Sequence, residues 1–140
     1  MTDSWKELYR PGTEKNWKGR IDSLEDVDAF RWHQCIRKID LNTIKDTDNL
    51  SIKNSFCFIG FICDEGVLRN LGRPGASKGP QYLRKEMANL AWDNERNIAL
   101  FDAGNVFCKN RDLETAQAVL SIAISKILDL GLIPILLFIS

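Results

Sequence analysis

The chain has 140 residues, of which 44% are hydrophobic and 27% are charged, a composition typical of one soluble globular domain. Its 19 Lys and Arg residues balance its 19 Asp and Glu residues, so no excess of positive charge favours nucleic acid or an anionic membrane as a partner. No charge-free apolar stretch approaches the roughly 20 residues that cross a bilayer. Because the first residues also lack the pattern of a secretory signal, we predict a cytoplasmic protein.

The first 54 residues are polar and only weakly periodic. We interpret residues 1–54 as an arm that wraps around a domain. Within the arm, Ser23 is followed three residues later by Asp26, which predicts that a helix begins at Ser23 and runs towards Ile36.

The stretch Phe56–Cys63 is a continuous apolar run of strand length. A strand that is apolar on both faces is typical of the interior of a parallel sheet. After a loop rich in Gly and Arg, Pro80 suits the first position of a helix. We predict that this helix ends near residues 92–94 and buries a stripe formed by Leu83, Met87, Leu90 and Ala91.

A second apolar strand is predicted at Ile98–Phe101, closed by a sharp exit at Asp102–Val106. Asp112 can cap a long helix whose apolar residues recur at steps of three and four, and Gly131 stands where a glycine commonly follows a helix. The run Leu132–Ile139 then predicts a third apolar strand.

The order strand, helix, strand, helix, strand predicts an α/β fold, with residues 55–140 forming a βαβαβ portion of a three-layer parallel sheet. Three parallel strands would leave two edges and an apolar face uncovered. The chain also stops at Ser140, at the end of an apolar strand. We therefore expect a domain truncated after about three strands.

The cysteines lack Cys-x-x-Cys spacing, and we interpret them as small buried apolar side chains: Cys35, Cys57, Cys63 and Cys108. Cys57 and Cys63 fall on one predicted strand, roughly 20 Å apart. That distance is too long for a disulfide between them.

The loop after the first strand is the most informative stretch of the chain. It lies at the end of a strand where open α/β sheets bind ligands, its glycines let the backbone approach a ligand, and Arg69 and Arg73 offer forked donors suited to carboxylates. For an arbitrary loop of this composition, an ordinary solvated surface loop is the favoured interpretation. A phosphate-binding loop is disfavoured because the Gly-Lys-Ser/Thr ending is missing.

A long motif begins in the first predicted strand and continues through the loop into the helix: Gly60-Phe61-x-x-Asp64-Glu65-Gly66-Val67-x-Arg69-Asn70-x-Gly72-Arg73-Pro74-Gly75-Ala76, with Gly79-Pro80 and Arg84. This motif resembles the first strand, loop and helix of the arginase-like ureohydrolases, and specifically of the formimidoylglutamases. Further along, Asp102-Ala103-Gly104-Asn105-Val106 is similar to the motif that closes the second strand of the family. Two segments of the arm are similar to the amino-terminal part of formimidoylglutamases: Trp17-x-Gly19-Arg20-x-Asp22 and Arg31-Trp32-His33-Gln34.

The resemblance implies a hydrolase that cleaves N-formimidoyl-L-glutamate to glutamate and formamide in histidine breakdown, with two manganese ions in the intact enzyme. The family holds these ions with His and Asp residues, beginning with Gly-Gly-x-His directly after the third strand. Here Phe138-Ile139-Ser140 stands in that place. We therefore expect no catalytic residue, metal ligand or cofactor in this chain, and possible association with itself or with another chain.

For an intact relative, the resemblance makes Arg69, Asn70 and Arg73 candidates for binding the two carboxylates of formimidoylglutamate. An alternative role, holding the loop's own carbonyls and neighbouring subunits, is equally compatible. His33, the only histidine, is interpreted as structural. The alternatives to an enzyme are a catalytically inactive fragment and a small nucleotide-binding α/β module.

Overall fold

The computed structural model describes residues 3–45, 55–63, 75–93, 95 and 97–138. Within these residues, one five-stranded sheet lies between two layers of helices. This arrangement confirms the predicted three-layer α/β class. The helices are α1 (Asp3–Leu8), α2 (Trp32–Cys35), α3 (Gly79–Met87) and α4 (Leu113–Asp129), and the strands are β1 (Tyr9–Arg10), β2 (Arg37–Lys38), β3 (Phe56–Ile62), β4 (Leu100–Phe107) and β5 (Ile133–Leu137).

Three long parallel strands form the centre of the sheet. β3 lies between β4 and β5 and runs parallel to both. The four residues Cys57–Gly60 of β3 are buried, as a central strand requires. Cys57 itself is fully buried, and this burial raises the pKa of its thiol. The predicted apolar strand and the buried state of this thiol are confirmed.

The outer edge of β4 is covered by the arm. β1 runs antiparallel to the later half of β4, and β2 runs parallel to its earlier half. The expectation that both edges of the sheet lie open is therefore wrong on this side. The arm supplies the backbone hydrogen-bond partners of this edge. Short polar strands such as β2 have no sequence pattern from which this pairing could be predicted.

The outer edge of β5 has no paired strand within the described part of the chain. The backbone N–H of Ile133 bonds to the carbonyl of Ser55, so alternate residues of β5 face β3 and Pro134 faces outwards. A proline on that side loses no ladder hydrogen bond. Ile133 and Phe138 are 44% and 50% exposed, so apolar surface is present along this edge.

Helix α4 has the ends that its sequence predicts. The side chain of Asp112 accepts a hydrogen bond from the backbone N–H of Thr115, at 3.1 Å. At the other end, Gly131 has a φ of +80°, and the N–H of Leu132 bonds to the carbonyl of Ile127. This is a Schellman ending, which requires a residue that tolerates positive φ. It turns the chain directly into β5.

Each face of the sheet has its own core. On one face α4 packs with α1, and on the other α3 packs with the arm. The buried residues of α4 are Ala116, Val119, Ala123 and Ile127, and the main residues of the opposite core are Trp17, Ile36, Phe58, Ala88, Leu100 and Leu137.

No helix of the described residues has the length and apolar character needed to cross a membrane.

Helix α3 ends at Met87, and the prediction that it continues to residues 92–94 is wrong. Beyond it, the carbonyl of Leu90 accepts from the N–H of Trp32, and the N–H of Trp92 donates to the carbonyl of Phe30, both at 2.9 Å. The backbone here pairs with the arm instead of continuing the helix. Leu90 is consequently exposed, not part of a buried stripe.

The predicted helix from Ser23 is also wrong. The Ser23 hydroxyl accepts from the N–H of Asp26 at 3.0 Å, but only a 3₁₀ turn, Val27–Ala29, and the four-residue α2 follow. Ser23 therefore caps a turn. The irregular apolar spacing of this segment suits contacts with several surfaces more than one helical stripe.

The segment Asp102–Val106 continues strand β4, so the sharp exit predicted there is wrong. The register shifts by one residue, since Phe58 pairs with Asp102 but Gly60 pairs with Asn105. Gly104 lies in this bulge with a φ of +95°. Gly and Asn thus mark a bulge inside the strand, where the same residue types suggested a turn.

Candidate functional site

The carboxyl ends of the parallel strands meet at one edge of the sheet. Ile62 at the end of β3 pairs with Phe107 of β4, and Leu137 at the end of β5 pairs with Gly60. In open α/β sheets, ligands bind outside this edge. The candidate site is therefore here, next to the Gly- and Arg-rich loop that the sequence singles out.

The three predicted substrate-binding residues, Arg69, Asn70 and Arg73, lie outside the described residues. The described neighbours of their segment are Cys63, which directly follows β3, and Gly75, which directly precedes the 3₁₀ turn before α3. In the chain, the segment therefore follows the carboxyl end of β3. Its role in binding substrate stays a prediction.

Arg84 is a buried cation at this end of the sheet, with 2% of its surface exposed. Its Nε and Nη2 donate to the two carboxylate oxygens of Asp102, at 2.8 and 3.0 Å. Nη2 also donates to the carbonyl of Gly104 at 2.8 Å, and Nη1 donates to Oδ1 of Asn105 at 2.7 Å. The planar, forked guanidinium matches this set of acceptors, as an ammonium group would not.

Asp102 has no acceptor capacity to spare. Besides the two bonds from Arg84, Oδ2 accepts from Nε1 of Trp17 at 2.6 Å, and Oδ1 accepts from the N–H of Gly104 at 2.9 Å. A carboxylate has about four lone-pair sites, so all of them are used. Asp102 therefore anchors the arm, the helix and the strand to one another, and it is not a candidate base or metal ligand.

Gly60 is the position that lets Arg84 reach β4. A Cβ at Gly60 would lie 2.1 Å from Oδ1 of Asn105, 3.0 Å from Cβ of Pro80 and 3.1 Å from Nη1 of Arg84. Any side chain in this part of β3 would displace the guanidinium or the amide. The glycine in the middle of a buried strand is thus required by the ion pair that crosses over it.

The arm is locked onto the bulge of β4. A Cβ at Gly104 would lie 2.0 Å from the carbonyl oxygen of Arg10, and one at Gly12 would lie 2.2 Å from that of Asp102. The hydroxyl of Tyr9 donates to the carbonyl of Ala103 at 2.6 Å. Gly12 and Gly104 therefore permit the backbone of the arm to approach the backbone of β4 closely. This close approach holds β1 on the edge of β4.

The two motifs of the arm contact each other. Asp22 binds Arg20 at 2.7 Å and Arg31 at 2.9 Å. The backbone N–H of Arg20 donates to Oδ1 of Asn89, just beyond α3, at 2.8 Å. The motif residues of the arm therefore fold against one another and against the end of α3.

His33 has a structural contact, as predicted. Its Nε2 lies 2.8 Å from the carbonyl oxygen of Arg20. Because a carbonyl can only accept, this nitrogen carries the proton. The imidazole thereby joins the two arm motifs.

The described residues do not fit a manganese pair. Among them, no group of three or more His, Cys, Asp and Glu side chains is placed to hold a metal ion. His33 and Asp102 are both committed to the contacts given above. Asp64 and Glu65, which follow β3 in the sequence, lie outside the described residues.

Arg84 is the residue whose importance sequence reasoning missed. The predicted apolar stripe of α3 contained Leu83 and Met87, which are only partly buried, whereas Arg84 and Ala88 are buried. A signal was present, since Pro80, Arg84 and Ala88 recur every fourth residue and share one helix face. Asp102 directly after an apolar run indicated a partner for a buried Arg.

Fold and site together define an α/β protein with a parallel sheet whose ligands would bind at the carboxyl ends of its strands. Residues 54–137 match the model of the arginase family. The chain belongs to the arginase family.

Its relatives include three bacterial proteins named formimidoylglutamase. The chain is 52% identical to the protein of Clostridium tetani (strain Massachusetts / E88) over 129 residues, 92% of this chain and 38% of the relative. It is 42% identical to that of Lysinibacillus sphaericus (strain C3-41) over 122 residues, 87% of this chain and 37% of the relative. For the protein of Chromobacterium violaceum, identity is 40% over 123 residues, 88% of this chain and 36% of the relative. The chain thus spans less than two-fifths of the length of these relatives.

Proposed function

We propose that this chain is the amino-terminal part of a hydrolase domain that converts N-formimidoyl-L-glutamate and water into L-glutamate and formamide. The observation that carries the proposal is the 52% identity to a formimidoylglutamase over 92% of the chain. The identity includes the arm, whose motifs make the contacts described above. A specific relationship to the formimidoylglutamases therefore supports this substrate over those of other arginase-family enzymes.

Within this function, the described residues form the framework of the site. Arg84, Asp102 and Trp17 join α3, β4 and the arm through hydrogen bonds of 2.6–3.0 Å. This network holds α3 against β4, which pairs with β3, and so supports the described residues that flank segment 64–74. A rigid support of this kind is what a binding loop needs in order to hold a substrate precisely.

Arg69, Asn70 and Arg73 are the proposed contacts to substrate. Formimidoylglutamate carries two carboxylates, and arginine binds carboxylates through paired hydrogen bonds. Asn70 adds an amide donor between the two guanidinium groups in the sequence. Their segment starts at the carboxyl end of β3, which is the expected position for ligand contacts.

The intact arginase family implies two manganese ions, which would supply an activated water for attack on the amidine carbon. The described residues offer no donor set for them, so we assign no step of the reaction to a metal on this chain. We propose that turnover requires residues which the longer relatives have beyond the matched region. The chain on its own is expected to lack formimidoylglutamase activity.

The test compares the 140-residue chain with a chimera in which residues 1–137 are joined to the remaining sequence of the Clostridium tetani relative. Both proteins are assayed for glutamate and formamide release from formimidoylglutamate with added Mn²⁺. We expect turnover by the chimera alone. A folded, manganese-loaded chimera that releases no formamide would contradict the proposed function. Turnover by the isolated chain at a comparable rate would instead contradict the proposal that residues beyond the matched region are required.

Substitutions in the chimera test the proposed contacts. Arg69→Ala and Arg73→Ala should each raise KM for formimidoylglutamate at least about tenfold, because each removes a charge-assisted pair of hydrogen bonds. Lys85→Ala, at an exposed position of α3, is the matched control and should leave KM unchanged. An unchanged KM in both arginine variants would show that these residues hold the loop and do not bind the substrate.

A further inference from the structure

Cys63 and Cys108 lie opposite each other at the ends of β3 and β4. Ile62 and Phe107 are paired in the register of the two strands, and the N–H of Cys108 donates to the carbonyl of Ile62 at 3.2 Å. In a parallel ladder, a residue donates to the residue that precedes its own partner. The next pair in the register is therefore Cys63 with Cys108.

Extending the alternation of β3 and β4 by one residue beyond each strand places the two side chains on the same face of the sheet. Residues two apart on a strand share a face, which puts Cys63 on the side of Phe61 and Cys108 on the side of Val106. Phe61, Val106 and Cys108 all belong to the core beneath α4. Both cysteine side chains are thus placed on the same face of the sheet, on two adjacent strands.

The separation of the strands suits a disulfide. Neighbouring strands lie about 4.8 Å apart, and disulfides accept Cα separations of about 4.4–6.8 Å. Both cysteines are thiols in this structure and both are partly exposed. Cys57, on the same strand and face, is fully buried, so a soluble oxidant reaches Cys63 and Cys108 but not Cys57.

We propose that Cys63 and Cys108 form a redox-sensitive modification site, which closes to an intramolecular disulfide in the presence of a low-molecular-weight disulfide such as oxidised glutathione. One thiolate attacks a sulfur of oxidised glutathione, forming a mixed disulfide and releasing one glutathione thiol. The second thiolate then attacks the mixed disulfide, forming the Cys63–Cys108 bond and releasing the second glutathione. Two protein thiols are oxidised and one glutathione disulfide is reduced.

This bond would tie β3 to β4 at the point where residues 64–74 begin. The strands are otherwise held there by backbone hydrogen bonds, of which the bond from Cys108 to Ile62 is the last one described. A covalent link closes a loop of about 45 residues and should raise the melting temperature by several degrees. The proposal does not depend on the formimidoylglutamase assignment.

The test uses the Cys35→Ser variant, which removes the partly exposed thiol of α2. The protein is incubated with oxidised glutathione, alkylated and digested with trypsin. Before alkylation we expect an intact mass lower by about 2 Da. After digestion we expect a linkage between the peptides 54–69 and 97–109, with fragment ions that place the bond at Cys63 and Cys108. Recovery of both cysteines in alkylated form, or a linkage at Cys57, would overturn the proposal.

Two matched variants complete the test. Cys35→Ser/Cys63→Ser and Cys35→Ser/Cys108→Ser should gain no intramolecular disulfide and no rise in melting temperature. The same oxidation in concentrated urea provides a control for chance pairing, because an unfolded chain should form mixed linkages that include Cys57. A linkage pattern identical in urea and in native buffer would show that the fold does not direct the pairing and would overturn the proposal.

Discussion

The guanidinium of Arg84 lies across Gly60 and binds the carboxylate of Asp102 through two hydrogen bonds, of 2.8 and 3.0 Å. Both residues are almost completely buried, with 2% and 1% of their surfaces exposed. A buried ion pair of this kind contributes little compared with a well-packed apolar pair, but it becomes costly when one partner is removed. The pair therefore specifies how α3 sits on the sheet.

Removing the cation should destabilise the chain strongly. Arg84→Met leaves the Asp102 carboxylate buried without its charge partner, and the free energy of unfolding should fall by about 3–5 kcal/mol. Urea unfolding followed by circular dichroism measures the change. Lys85→Met, at the adjacent exposed position, is the control and should stay within about 0.5 kcal/mol of the parent. Equal stability of the two variants would show that the ion pair does not hold α3.

The glycine beneath the ion pair gives a second prediction. Gly60→Ala places a methyl group 2.1 Å from Oδ1 of Asn105, so the amide and the guanidinium must move apart. Gly131→Ala is the comparison, because the space around it is open and its cost is only the positive φ, roughly 1–2 kcal/mol. Gly60→Ala should be the more destabilising of the two in urea unfolding. If Gly131→Ala lost more unfolding free energy than Gly60→Ala, close packing of Arg84 over residue 60 would not be required for stability.

The architecture was largely predictable because apolar periodicity reports burial directly. The long strands and α4 follow from runs such as Phe56–Cys63 and from the cap and C′ signals of Asp112 and Gly131. The arm was less predictable. Its turns and short strands depend on backbone bonds to distant residues, such as Trp32 to Leu90, which leave no periodic pattern in the sequence.

The sequence predicts a position for the candidate site, but it did not predict the contacts that the structure shows around it. Strand order places it at the carboxyl edge, next to the Gly- and Arg-rich loop. The bulge at Gly104 and the pairing of Arg84 with Asp102 could not be derived from local sequence, because Gly, Asn and Asp favour turns and bulges alike. A turn and a bulge at this segment are distinguished only by a contact that is distant in sequence, the bond from Arg84 to Asp102, 18 residues away.

The arm should contribute to the stability of the buried network. Trp17→Phe keeps an aromatic ring next to Phe58, whose centroid lies 6.0 Å from that of Trp17, but removes the indole N–H that donates to Asp102. A hydrogen bond to a charged group contributes about 1.5–3 kcal/mol, and the free energy of unfolding should fall by that amount.

Trp32→Phe is the control for this substitution, since Trp32 stacks on the same Phe58 ring at 6.3 Å. It should cost less than Trp17→Phe, because Trp32 is only partly buried. If both variants lose the same free energy in urea unfolding, the indole N–H of Trp17 contributes nothing beyond ring packing.

The buried phenol of Tyr9 should make stability fall at alkaline pH. Burial raises the pKa of Tyr9 above its ordinary value of 10.0 because the phenolate would lose its hydration. The folded chain therefore keeps this proton at pH values where the unfolded chain releases it. The contribution is fully present below pH 10, and it falls by about 1.4 kcal/mol per pH unit as the pH rises above 10 towards the folded-state pKa.

Tyr9→Phe isolates this effect. The variant loses the bonds to Ala103 and Leu41 and should be less stable at neutral pH, but its stability should decline less steeply above pH 10. Tyr82→Phe, at a site 58% exposed, should keep the parental decline. Cys57, whose pKa burial also raises, is retained in all three proteins, so each keeps a decline from this thiol. The free energy of unfolding is measured by urea unfolding between pH 8 and pH 11. If it falls equally steeply in the parent and in Tyr9→Phe, the decline has another source, and a protonated, buried Tyr9 is contradicted.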